Sequence, residues 1–182
     1  MSITRTNTYL QRLIGAAALD AAIYEEVEAD AGATTQAFIT VLLSSIAAGI
    51  GSRELGGATV GSVVFISMLA LLAWAAWALV TYAVGVRMFA QPQTSSNVGE
   101  LLRTIGFASA PGFLRVLGVL PGVTVPVFAV TAVWMLAAMV VAVRQALDYD
   151  NTLRAIAVCV VGWALAGALV VVLSAFWGST VS

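Results

Sequence analysis

The sequence predicts an all-α polytopic membrane protein: a bundle of five transmembrane helices preceded by a short amphipathic N-terminal helix. Two observations predict it. Of the 182 residues, 61% are hydrophobic and only 9% charged, against about 25% charged in an ordinary soluble domain. Such a chain cannot cover a water-facing surface with polar groups, so lipid must be the solvent for much of it. The apolar residues also gather into long continuous runs. A membrane span has to satisfy its backbone hydrogen bonds internally, which favours helices, and a barrel would show short alternating strands instead.

Residues 1–32 form the first part, a cytoplasmic segment. Arg5 and Arg12 precede a short apolar stretch broken by Asp20, and Glu25, Glu26, Glu28 and Asp30 follow. This is not the pattern of a cleaved signal peptide, and the segment is expected to stay on the mature protein. Leu10, Leu13, Ile14 and Ala17 recur at helical spacing, as do Ile23, Tyr24 and Val27. Such a helix either lies in the interface plane with its apolar face in lipid or docks on the cytoplasmic face of its own bundle.

Residues 33–178 form the transmembrane domain. Crossing a hydrocarbon core takes about 20 apolar residues. The first span, 34–50, is short and carries Ser44 and Ser45; the second, 61–86, is uninterrupted by charge. The third, 101–120, is the weakest and contains Arg103, Pro111 and Arg115. Residues 126–143 and 153–176 complete the five. Between the second and third, residues 90–99 are turn-rich, and Ser96 or Asn97 is placed to cap the third span with Glu100 near its N-terminus.

The arginines set the orientation. Five spans place Arg5, Arg12, Arg87, Arg103, Arg144 and Arg154 on one side, against Arg53 and Arg115 on the other. The N-terminus is therefore expected in the cytoplasm and the C-terminus outside. Dropping the weak third span would move Arg144 and Arg154 outward and shrink the bias, so the arginines support five crossings over four.

Chemistry is scarce. Histidine is absent, which removes the usual general base, metal ligand and haem ligand. No Asp or Glu falls inside a span, so proton relays lack their carboxylates. Cys159 is the single cysteine and sits in an apolar run, where it reads as a small packing residue. No enzyme activity, metal or cofactor is expected. Lysine is absent and the net charge is −1, which leaves no basic tract for nucleic acid.

Six residues stand out as candidates for interaction or structure. Glu25, Glu26, Glu28 and Asp30 read either as a solvated helix face or as a docking surface for a basic partner or a weak divalent-cation site. Pro111 should kink the third span. Arg115 lies about 8 Å of helix rise from the outer end. It either snorkels to the headgroups or anchors the bundle, through Glu54 or through carbonyls freed near Pro111. Small residues four apart, Gly106 with Ala110, Ala108 with Gly112, Gly118 with Gly122 and Gly162 with Ala166, allow close helix approach. Trp74, Trp77, Trp134 and Trp163 fall deep in spans and read as packing residues; Trp177 falls at an interface.

The run from Leu19 through Asp30, the run Glu100-Leu101-Leu102-Arg103-Thr104-Ile105-Gly106-Phe107-Ala108-Ser109-Ala110-Pro111, and the region from Trp134 to Arg154 ending in Leu153-Arg154-Ala155-Ile156 together resemble bacterial members of the Yip (Ypt-interacting protein) domain family. The resemblance covers most of the chain. It implies five transmembrane helices with a cytoplasmic N-terminus. Eukaryotic members are linked to vesicle traffic and prenylated small GTPases; with a short N-terminal segment here, that role is not expected to transfer. Bacterial members imply no settled biochemical activity.

The expectation is a non-catalytic scaffold or accessory subunit that packs against other membrane proteins, itself or membrane lipids. The alternative is a small transporter or channel built on the broken third span. Alanine-, valine- and arginine-rich, lysine-free usage points to a GC-rich bacterial genome, and so to the inner membrane of a bacterium.

Overall fold

The computed structural model describes residues 7–52, 59–94 and 96–178, with side chains except at 66 and 166–178. Helices α1 (Tyr9–Ala17), α2 (Ala21–Ala29), α3 (Ala33–Gly51), α4 (Val60–Arg87) and α5 (Val98–Phe107) lead into a 3₁₀ segment, Ala110–Val119. Helices α6 (Thr124–Ala146) and α7 (Thr152–Gly178) follow. No strand occurs among the described residues.

The N-terminal segment is two helices rather than one. A capping box of Thr8 and Gln11 starts α1, and Asp20 caps α2 by accepting the Ala22 N–H at 3.0 Å. Leu19, at φ 63°, turns the chain between them. Asn97 and Glu100 form the capping box that opens α5, as their positions in the sequence suggested.

The expected third span is not one α-helix. Ser109 Oγ donates to Gly106 O at 2.6 Å, and α5 stops at Phe107. Pro111 has no N–H and disfavours α geometry at the residue before it, so the chain continues in 3₁₀ winding from Ala110. The proline thus sits near the start of a new segment instead of kinking a continuous helix.

That winding decides the packing. A 3₁₀ helix has three residues per turn and an α-helix 3.6. Residues six apart in the 3₁₀ segment, and seven apart in α3, each return to one face. A Cβ on Gly106 would lie 2.6 Å from Ala37 Cβ, and one on Gly118 would lie 2.7 Å from Gly51 O. Between them, a Cβ on Gly112 would overlap Ser44 Oγ. The glycines that matter here are Gly106 near the end of α5 and Gly112 and Gly118 in the 3₁₀ segment, facing Ala37, Ser44 and Gly51. The expected four-residue pairs do not describe this seam.

The chain passes along the bundle five times. At one end, Tyr149 Oη donates to Gly85 O at 2.9 Å, Gln93 Nε2 to Asp150 Oδ2 at 2.5 Å, and Gln145 Nε2 to Glu25 Oε1 at 2.8 Å. These bonds gather the C-terminus of α4, the loop before α5, the loop between α6 and α7, and α2. At the other end, Thr124 Oγ1 donates to Gly118 O at 2.7 Å. A Cβ on Gly49 would lie 2.9 Å from Val63. Among the described residues, α3, α4 and α6 are each long and apolar enough to cross a membrane. Two cores result: one from α4, α5, α6 and α7 around Leu101, Val143 and Leu147, the other joining α1 and α2 to α3, α5 and α6 around Tyr24, Val27 and Phe107.

Candidate functional site

The acidic run does not form one uniform solvated face. Glu26 and Asp30 are four apart in sequence, on one side of α2 and its C-cap, and both reach Arg12, which is 1% exposed. Arg12 Nε donates to Glu26 Oε1 at 3.0 Å, its Nη2 to Asp30 Oδ2 at 2.8 Å, and its Nη1 to Gln36 Oε1 at 3.0 Å. Asn7 adds its backbone N–H at 3.0 Å and its side-chain amide to the Glu26 carboxylate. Burial opposes ionisation of Glu26, but the Asn7 and Arg12 hydrogen bonds outweigh it and hold the carboxyl below its ordinary value. The hydrogen bond from Arg12 does the same for Asp30.

Of the predicted apolar face of α1, only part turns to the bundle. Arg12, Leu13 and Ala16 turn inward, while Leu10 and Ile14 are 64% and 62% exposed. The guanidinium wins the interior because Glu26, Asp30 and Gln36 supply partners on three sides.

Glu28 behaves differently. Burial, then the nearby carboxylates of Asp148 and Glu100, push its carboxyl up to about 7, with Arg103 opposing. Its main-chain carbonyl accepts from Arg103, whose Nε also lies 3.0 Å from Val27 O. Arg103 is 8% exposed. A cation on the last carbonyls of α2 satisfies groups that a helix end leaves open, and it complements the helix dipole. Sequence reading treated Arg103 only as an orientation charge and did not see this role.

Glu25 opens onto a polar hollow of about 640 Å³ shared with Gln93, Arg144, Gln145, Asp148 and Asp150. Arg144 belongs to its wall, with Nε donating to Tyr149 O at 3.2 Å. Among the described residues, no group of three or more His, Cys, Asp or Glu is placed to hold a metal.

Pro111 and Arg115 are not brought to this end. Arg115 Nε donates to Thr131 Oγ1 at 3.2 Å, and the guanidinium lies 5.3 Å from the centre of the Phe128 ring. Its partners among the described residues are thus on α6; Glu54 lies outside them. Arg115 also borders an apolar cleft of about 660 Å³ with Ser44, Ser45, Ser109, Trp77 and Trp163. Trp77 Nε1 and Ser67 Oγ are buried with no hydrogen-bond partner among the described residues.

The tryptophans divide. Trp74 Nε1 donates to Leu102 O at 3.0 Å and Trp134 Nε1 to Ala17 O at 2.7 Å, so these two are packing residues with a polar task. Trp163 is 56% exposed and corrects the expectation of a packed residue, although its ring meets Trp77 edge-on at 6.3 Å. The Trp177 side chain lies outside the described residues.

A family model described as the Yip1 domain matches residues 21–174. The chain belongs to the Yip1 domain family. Comparison with curated proteins and with solved structures found no match. The Yip1 match and the three long apolar helices make this a membrane protein. The matched region begins at the first residue of α2, so α1 and the Arg12 that pins it lie ahead of the Yip1 domain.

Proposed function

We propose that this Yip1-domain protein is a non-catalytic scaffold or accessory subunit of a bacterial inner membrane. In this reading it crosses the membrane five times, with the N-terminus in the cytoplasm and the C-terminus outside. It works by packing its helices against other membrane proteins or lipids. The observation that carries the reading is the outer half of α4. Val60, Val64, Phe65, Met68, Leu69 and Leu72 leave a broad apolar surface exposed, while the buried Arg12 and Arg103 are engaged by groups of this same chain. The charges hold the fold together, and the apolar surface is what remains to meet a neighbour.

Native mass spectrometry of the tagged protein, extracted in mild detergent from its own membrane, tests this. The expected result is a companion at fixed stoichiometry that is lost from a Phe65→Ala, Leu69→Ala variant. A protein that comes out alone, with lipid retained no better by the parent than by the variant, contradicts it.

A second reading, a small transporter or channel, draws on one observation: the cleft beside the broken third traverse, with Arg115 at its edge and an unpartnered Trp77 Nε1 in its wall. Solute flux in proteoliposomes that disappears with Arg115→Ala would favour it over the scaffold.

A further inference from the structure

Helix α1 sits at an unexpected level along the bundle. Its last residue is tied to α6 by the Trp134 indole, which donates to Ala17 O at 2.7 Å. Trp134 is the eleventh of the 23 residues of α6, so about 15 Å of helix lies on one side of it and about 18 Å on the other. At its first residue, Tyr9 Oη lies 3.0 Å from Thr40 Oγ1, about 10 Å into α3. The Tyr9 ring also meets Phe107, the last residue of α5, edge-on at 6.2 Å. The C-terminal end of α1 therefore lies well inside the length of α6, while at the other end Tyr9 reaches inward to Thr40 through its side chain.

The chain enters and leaves on one side. Asn7 is bonded to Glu26 in the second half of α2, and the end of α2 is held by Arg103. From Asn7 the chain runs inward along α1, reverses at 18–20, and returns along α2 to the start of α3. Two antiparallel helices with both outer ends at one level make a re-entrant hairpin, and such a hairpin leaves the number of crossings unchanged.

The outward surface of α1 is the wrong one for water. Leu10, Ile14 and Ala18 are exposed on it, with Gln11 as the polar neighbour. The exposed apolar residues at the same level on the adjoining helices are Ile39 and Leu43, flanking Thr40, and Val133, flanking Trp134. Tyr9 and Trp134 tie α1 to α3 and α6 beside these exposed apolar residues.

We infer that α1 and its turn form a re-entrant hairpin sunk into one leaflet of the membrane, with Leu10 and Ile14 facing lipid acyl chains. The occupant of that face is lipid, because α1 is tied beside exposed apolar residues of α3 and α6, two helices long and apolar enough to cross a membrane. The Arg12 cluster closes the inner side of the hairpin, where Leu13 and Ala16 also pack, while Leu10, Gln11 and Ile14 face outward. Asp20 at the tip spends one carboxylate oxygen on the Ala22 N–H. This inference rests on the membrane reading above and goes beyond the region matched by the Yip1 domain.

Spin labels test it in proteoliposomes of the full chain, in a Cys159→Ala background. One label each is placed at Ile14→Cys, at Val133→Cys as the lipid-facing standard, and at Glu25→Cys as the aqueous one. Collision with oxygen and with a water-soluble nickel chelate is read for each. The expected result is an Ile14 label that matches the Val133 label, with oxygen access well above nickel access. An Ile14 label that matches Glu25 while Val133 remains in lipid overturns the hairpin alone. A Val133 label in water overturns the membrane reading with it. An Ile14 label shielded from both reagents means a protein covers the face and overturns lipid as its occupant. Leu10→Cys repeats the reading should Ile14→Cys fail to give folded protein.

Discussion

Arg12 connects α1 to α2 and α3 through three side chains, and removing it leaves Glu26 and Asp30 facing each other without their cation. Breaking a fully buried ion pair costs about 3–5 kcal/mol. Glu26 and Asp30 keep 25% and 37% of their side-chain surface in water, so Arg12→Ala should cost about 2 kcal/mol. That corresponds to a fall of about 4–8 °C in apparent melting temperature in detergent, and an unchanged melt would mean the cluster contributes no stability. Glu28 gives a pH signature. Its carboxyl holds a proton up to about 7 in the folded chain, against 4.5 as its ordinary value. The folded state therefore binds more protons than the unfolded state across that window, and stability falls as pH rises through it. Thermal melts between pH 5 and 8 should show this decline in the parent and a flatter profile in Glu28→Gln. Glu26 and Asp30, held low, act in the opposite sense and lose their contribution as pH falls below the ordinary carboxylate range. The sequence showed these carboxylates as one acidic run, read as a solvated face or a docking surface. It did not show Arg12 as their partner, because an arginine on an apolar helix reads as an outward charge until the opposing acids are placed.

The helices themselves were largely legible, since long apolar runs bounded by Arg, Gly and Pro translate directly into α3, α4, α6 and α7. The element that was not legible is the 3₁₀ segment. Its glycines are six apart, a spacing that scatters around an α-helix and lines up only at three residues per turn. Reading the stretch as a kinked α-helix therefore selected the four-residue pairs and missed the seam against α3. Gly112 tests the seam. A Cβ there overlaps Ser44 Oγ, so Gly112→Ala should lose about 1–3 kcal/mol of stability. Ser44→Ala in the same chain should restore part of that loss, because it removes the overlapping oxygen. If the single variant melts like the parent, or the pair is no better than the single, the seam is not packed as described.

At the scale of the whole molecule, sequence and structure agree on a helical membrane protein of the Yip1 domain family. Among the described residues, three of the five runs read from composition are helices long and apolar enough to cross a membrane: α3, α4 and α6. The position of α1 was beyond the sequence, since helical periodicity gives a helix two faces without saying which one the protein keeps. The account depends most on the five passes along the bundle being five crossings of the membrane. Single cysteines at Pro121→Cys and Asp150→Cys, in the Cys159→Ala background, can be exposed to a membrane-impermeant thiol reagent in right-side-out and inverted vesicles. The account predicts that Pro121→Cys reacts only from outside and Asp150→Cys only from the cytoplasmic side. Reaction of both from the same side would contradict it.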